Sequence, residues 1–251
     1  MTHKSLTLLT AALLAVATAS LLTACDDDDD DQQSTSSTAE TSTDNDNDDT
    51  SDTSGNNTTT AEYQAVDLGL SVCWATFNVG ATTPSGFGNY YQWGETTVPD
   101  DLDYASDYCR LFGVDIADSL GMSDIAGNDA YDAATANWGS PWRMPTAEEW
   151  QDLRNECSWQ WTDNYRKTGI PGQIVTANDT SIFLPAAGYY FADMSDECLN
   201  DSIVGVYWAA SPNADDSEYA YYLSFGSSTP SLNSNNYRYL GQSIRPVRDA
   251  E

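Results

Sequence analysis

The chain holds few of the side chains that enzymes use to move protons. Its only histidine is His3, ahead of a long apolar run. Beyond that run, Ser-His-Asp and Cys-His catalysis lack their base, and zinc or iron lacks an imidazole ligand. Apart from Lys4, Lys167 is the only lysine, so Schiff-base chemistry would rest on one residue. Asp and Glu number 39, which leaves carboxylate-pair hydrolysis open, although most such groups are solvated surface charges. Five cysteines remain. Cys25 closes the apolar run, and Cys73, Cys109, Cys157 and Cys198 lie in the tryptophan- and tyrosine-rich region after residue 61. These four show no CxxC spacing, which argues against a zinc site, and no metal site is expected. An even count in an exported chain points to two disulfides, each stabilising by about 2–4 kcal/mol, with the pairing open. Free buried thiols are the alternative.

Cys25 has the most specific setting. Thr2-His3-Lys4 is a short, weakly basic start, and an apolar run from Leu6 to Leu22 follows. That order is the pattern of a secretory signal peptide over residues 1–24. Leu22-Thr23-Ala24-Cys25 resembles the lipobox of bacterial lipoproteins. The resemblance implies a diacylglyceryl group on the Cys25 sulfur, cleavage before Cys25, and acylation of the new amino terminus. Two or three acyl chains, at about 0.8 kcal/mol per buried methylene, anchor a protein stably to a membrane. The competing reading is a marginal transmembrane helix with an incidental cysteine. Asp26 to Asp31, immediately after the cysteine, favour the anchor. Such an acidic run also resembles the surface-export signal of some Gram-negative lipoproteins. It implies display on the outer face of the outer membrane.

Residues 25–61 are otherwise mostly Ser, Thr, Asp and Asn, with hardly an apolar residue, which predicts a disordered acidic tether. Like charges extend such a segment. The net charge of -30 argues against nucleic acid or anionic lipid as a partner.

Residues 62–251 are the size of one domain. Thr146-Ala147-Glu148-Glu149 reads as a capping box. Trp150, Leu153 and Cys157 share a face at spacings of three and four, so a helix is expected from Ala147 to Glu156. A weaker helix signal covers Ala130 to Asn137. Strands are expected at 71–75, 181–184, 206–209, 219–225 and 242–247, with Trp159 and Trp161 alternating on another. Few helices among several short strands give an α+β domain.

Several segments together carry a family resemblance. They include Val66-Asp67-Leu68-Gly69-Leu70-Ser71, Trp93-Gly94-Glu95-Thr96, Trp142-Arg143-Met144-Pro145-Thr146, Leu184-Pro185-Ala186-Ala187-Gly188 and Ser243-Ile244-Arg245-Pro246-Val247. In this order they resemble the "major paralogous" domain of surface lipoproteins, a branch of the C-type-lectin-like superfold. The match spans nearly all of residues 62–251. It implies twisted short antiparallel strands, two helices and long loops. Arg143 to Trp150 is also similar to a segment of the formylglycine-generating enzymes. In these relatives the first-strand cysteine stands where Phe77 is here, and a polar residue stands at Cys73. The resemblance still implies a bridge from this strand, with Cys157 one candidate partner.

Arg143 is expected to form a structural ion pair rather than bind an anion. Glu95 is read as its partner or as a calcium ligand, with structure favoured. No cofactor is expected, although the fold leaves room for a structural calcium. Trp74, Trp93, Trp138, Trp142 and Trp150 are read as core. In C-type-lectin-like receptors the ligand face lies near the C-terminal region. The expected face is therefore Tyr207 and Trp208 with residues 233–239: Asn233, Asn235, Asn236, Tyr237 and Tyr239. Asn supplies hydrogen bonds and Tyr supplies flat apolar area at low entropic cost. An ordinary polar hairpin is the alternative for residues 233–239. The implied function is a non-catalytic module for a glycan or protein ligand. The alternatives are a structural adhesin subunit and an oxidase of the formylglycine-generating type. The oxidase needs a late cysteine pair, and no cysteine follows Cys198.

Overall fold

Three small antiparallel sheets and three short helices carry the described chain, an α+β arrangement. The computed structural model describes residues 64–100, 103–191 and 198–250. The signal 1–24, Cys25 and the tether through residue 61 lie outside the described residues.

The first sheet orders β1 (Ala65–Asp67), β2 (Val72–Ala75) and β9 (Val247–Asp249), with Trp74 paired to Val66 and Val247. The second holds β3 (Ser158–Thr162), β4 (Gly172–Ala177) and β5 (Thr180–Pro185). Asn178 and Asp179 join β4 to β5 with φ of 48° and 60°. Two left-handed residues in succession match the right-handed twist of a two-residue hairpin. The third sheet holds β6 (Gly205–Pro212), β7 (Tyr219–Phe225) and β8 (Ser231–Tyr237).

The main helix, α3, runs from Ala147 to Glu156, as its local signals dictate. Thr146 Oγ1 accepts from the Glu149 N–H at 3.3 Å, and Glu149 Oε2 accepts from the Thr146 N–H at 2.8 Å. Trp150 and Leu153 are buried against the strands. Helix α2 spans Ala133–Trp138 and starts later than expected. Asp132 sets that start, its Oδ1 accepting from the Ala134 and Thr135 N–H groups. A third helix, α1 (Ile116–Leu120), corrects the expectation of two. Five residues are too few to show an apolar period.

Strand β6 divides the interior. Trp208 and Ala210 join one cluster with Trp93, Ile125, Leu240 and Ile244. Tyr207 and Ala209 join another with Trp74, Trp150, Leu184 and Val247. Consecutive residues pointing to opposite faces produce this split. Trp74, Trp93, Trp142 and Trp150 are buried as expected, whereas Trp138 is half-buried. The expected last strand at 242–247 shifts to Val247–Asp249. Gln242 and Ser243 instead make isolated bridges to Tyr91 and Tyr207.

Arg245 crosses this interior with no exposed surface. Its Nε donates to Asn78 Oδ1 at 2.9 Å, and its terminal nitrogens donate to the Ala75 and Phe183 carbonyls at 3.0 and 2.9 Å. One side chain thus ties β2, β5 and the loop at Asn78. Burial pushes its pKa down to about 10, so it stays cationic at neutral pH.

The two expected disulfides are corrected: no disulfide forms among the described residues, and Cys109, Cys157 and Cys198 are free thiols. The fold distributes them among different surroundings. Cys109 Sγ donates to the Trp93 carbonyl at 3.6 Å, and Cys198 Sγ donates to the Ala187 carbonyl at 3.2 Å. Cys157 caps the C-terminus of α3, and Cys73 lies on β2, so the bridge expected from that strand to Cys157 is not formed.

Candidate functional site

The tyrosines near the C-terminus separate into buried and presented groups. Tyr207 and Trp208 have no exposed surface, which removes them from the expected ligand face. The Tyr207 hydroxyl donates to the Pro185 carbonyl at 2.8 Å, and Trp208 Nε1 donates to the Tyr91 carbonyl at 2.8 Å. The cause is legible in the sequence. Val206-Tyr207-Trp208-Ala209-Ala210 is a continuous apolar run, which marks a strand covered on both faces.

Residues 233–237 of the expected face, for which a polar hairpin was the alternative, lie on strand β8, hydrogen-bonded to β7 at the edge of its sheet. Asn233 is half-buried and donates to Ser224 Oγ at 3.2 Å. Asn235 is exposed, and Asn236 is half-buried opposite Ala220. Tyr237 lies opposite Tyr219 across the strand pair, with ring centroids 4.5 Å apart. Tyr239 stacks on Tyr237 at 5.1 Å and 17°. Phe112 meets the Tyr239 ring edge-on at 5.3 Å, and Phe191 lies 6.1 Å from it. These five rings are all partly exposed. The structure therefore brings Tyr237 and Tyr239 together, with Asn235 and Asn236 just before Tyr237 on strand β8.

Between the two tyrosines, Arg238 points the other way and is 1% exposed. Its guanidinium sits 4.3 Å from the Trp93 ring centroid. Nε donates to the Tyr219 carbonyl at 3.0 Å, and Nη1 donates to the Leu111 and Val114 carbonyls at 2.8 Å each. Those carbonyls flank Phe112 and include the backbone of Tyr219. One buried cation therefore fixes the strand and the loop that carry the rings. Burial pushes the Arg238 pKa down to about 10, opposed by Cys109, Asp115 and Asp216.

Tyr219 is pushed up to about 12, chiefly by its hydrogen bond with Tyr237, then by burial and by the Tyr237, Asp216 and Glu218 charges. The Tyr219 hydroxyl is therefore neutral at physiological pH and can both donate and accept. The flanking carboxylates at Asp215, Asp216 and Glu218 suit a ligand with hydroxyl or cationic groups.

The remaining polar candidates serve the fold. Arg143 forms a two-point pair with Glu149 at 2.9 and 2.6 Å and a further bond to Asp249 at 3.0 Å. Its pKa is raised, mainly through the Glu149 hydrogen bond. Glu95 pairs with Arg110 at 2.8 Å, which corrects its assignment to Arg143. Among the described residues, no group of three or more Asp, Glu, His or Cys side chains is placed to hold a metal ion.

Sequence reasoning missed Tyr219, Phe112, Phe191 and the anchoring role of Arg238. The Tyr-Arg-Tyr alternation at 237–239 was a signal that Arg238 faces inward. Phe112 and Phe191 carry no local signal, since only tertiary packing brings them to Tyr239. In comparisons with known proteins, no family model, curated protein or solved structure matches this chain.

Proposed function

We propose that this chain is an outer-membrane lipoprotein, anchored through acylated Cys25 and displayed at the cell surface, whose domain is a non-catalytic binding module. The reading includes a C-type-lectin-like fold and a glycan or protein ligand. The observation that carries it is the partly exposed cluster of Tyr219, Tyr237, Tyr239 and Phe112, held from beneath by Arg238. Flat rings fixed before contact lose little side-chain entropy on binding, and they stack on sugar rings or peptide planes. Asn235 and Asn236 add hydrogen-bond donors and acceptors at the margin.

The thiols favour recognition over redox chemistry. A reactive cysteine needs a depressed pKa. Burial instead pushes Cys109 up to about 12, and burial also raises Cys157 and Cys198.

The test is a glycan and host-protein array probed with the full chain. Its hits weaken at least tenfold for Tyr237→Ala and Tyr239→Ala. Hits that ignore both substitutions remove the ring cluster as the ligand face. Turnover of a cysteine-containing sulfatase peptide with copper and oxygen would overturn the non-enzyme reading.

A further inference from the structure

A second cleft, of about 420 Å³, is lined by Thr76, Pro84, Tyr165, Arg166, Ser181 and neighbouring residues. None of its lining residues belongs to the ring cluster. We propose that this cleft binds a saccharide bearing a carboxylate, such as a terminal uronic acid, with Arg166 as the carboxylate ligand. The inference does not depend on the ring cluster being a ligand face.

The charge distribution is the first argument. Within a chain of net charge -30, most basic side chains of the domain are already engaged. Arg110 bonds Glu95, Arg143 bonds Glu149 and Asp249, and Arg238 and Arg245 are spent on buried acceptors. Arg154 bonds Gln151, and Arg248 lies against Trp142. Arg166 and Lys167 are adjacent, exposed, and without a carboxylate partner among the described residues. Arg154 and Arg248 also lack a carboxylate partner but are half-buried, whereas Arg166 and Lys167 are exposed and Arg166 lines the cleft.

The second argument is how Arg166 is held. Its guanidinium lies 5.1 Å from the Tyr165 ring centroid, and that ring is stacked on Phe183 at 3.8 Å. Tyr165 therefore positions the guanidinium rather than stacking on the ligand. The turn itself is over-determined. The Tyr165 N–H donates to the Ile170 carbonyl at 2.9 Å, and the Gly169 N–H donates to Asn164 Oδ1 at 2.7 Å. Within it, Arg166 and Lys167 have φ of 47° and 66°, a region that residues bearing a Cβ seldom occupy and glycine enters freely. Strain of this kind persists where the surroundings impose it, and it often marks a binding element.

The third argument is the lining. Thr76 and Ser181 offer hydroxyls, and Gln64 an amide, to ligand hydroxyl groups, while Phe77, Pro84 and Ile182 provide an apolar wall. The guanidinium fork matches a carboxylate at two points. A cleft of this size falls within the range of small-molecule sites. The strong negative charge of the chain repels an extended polyanion, which favours a single terminal acid group.

The test titrates the full chain, held in a polyoxyethylene detergent, with methyl β-D-glucuronide, methyl β-D-glucoside, sodium acetate and a short glutamate peptide, read by calorimetry. The glucuronide binds at least tenfold more tightly than the other three. Arg166→Gly lowers glucuronide affinity at least tenfold while the cooperative melt stays within a few degrees, because glycine relaxes the positive φ. Tyr237→Ala leaves glucuronide binding unchanged. Four results would overturn the proposal: no glucuronide binding, equal binding of glucoside, acetate or peptide, no effect of Arg166→Gly, or loss on Tyr237→Ala.

Discussion

Replacing Arg245 with methionine tests whether a buried cation without a carboxylate partner holds this fold together. Methionine keeps much of the volume and the flexible stem, so the substitution removes charge and donors more than packing. Three acceptors lose their partner: Asn78 Oδ1, the Ala75 carbonyl and the Phe183 carbonyl. Each hydrogen bond from a charged donor contributes about 1.5–3 kcal/mol, and each orphaned buried acceptor costs about 1–3 kcal/mol. Against this, methionine escapes the several kcal/mol needed to desolvate a cation. The loss exceeds the gain, because the acceptors come from separate elements and water does not reach them. The net cost is about 3–5 kcal/mol, the range seen when one side of a buried charged network is removed. Urea unfolding followed by tryptophan fluorescence reads it directly, since Trp74 and Trp150 are buried beside β2 and α3. With a slope of about 1–3 kcal/mol per molar, the midpoint falls by at least about 1 M at unchanged slope. Arg154→Met is the control, as Arg154 is only part-buried and bonds one side-chain oxygen. An Arg245→Met protein as stable as the parent would refute the reasoning. It would mean that the desolvation cost cancels the three bonds and that the strands hold their spacing unaided.

Three other outcomes follow from the same structure. Because no disulfide links the domain cysteines among the described residues, dithiothreitol leaves the melting temperature unchanged. A drop of about 4 °C or more under reducing conditions, the effect of losing one bridge, would refute free thiols. Stability falls as pH rises above about 10. Burial raises the pKa of Tyr90, Tyr91, Tyr104, Tyr207 and Tyr222, with Tyr207 at about 12. The unfolded chain then loses these protons first, so stability present below the unfolded value is lost as pH rises through the folded values. Arg238 and Arg245, pushed down to about 10, oppose this, but five tyrosines outnumber two arginines. Rising stability between pH 10 and 12 in pH-dependent melts would reverse that sign. Arg238→Met weakens ligand capture on the array even though Arg238 touches no ligand, because Phe112 and Tyr219 lose their common anchor. Unchanged array affinity in a folded Arg238→Met protein would show that the rings are held without it.

The elements legible in the sequence were those whose determinants are local. Helix α3 follows from a four-residue capping box and an apolar stripe, and its bounds match the expectation. Strand β7 follows from a β-rich run and matches over Tyr219–Phe225. Helix α1 was hidden because five residues carry caps but no period. Strand β8 was hidden for a different reason. Asn and Ser have weak strand preference, and pairing with β7 imposes the extended form on them.

The site shows the same division between local and long-range information. Tyr and Asn at 233–239 could be named from residue type, because exposure at a sheet edge is compatible with their chemistry. Tyr207 and Trp208 were assigned to the same face from the family resemblance, although their apolar neighbours already indicated burial on both sides. The two arginines are the sharper case. Composition treats Arg238 and Arg245 as surface charges, and only the fold shows each surrounded by carbonyl groups. A carbonyl is a dipole with no net charge, so an arginine held this way leaves no acidic partner for a sequence pattern to reveal. It also leaves the protein's carboxylates free. The interior spends its cations on backbone, and the surface stays acidic around the rings, except at the turn where Arg166 and Lys167 remain open.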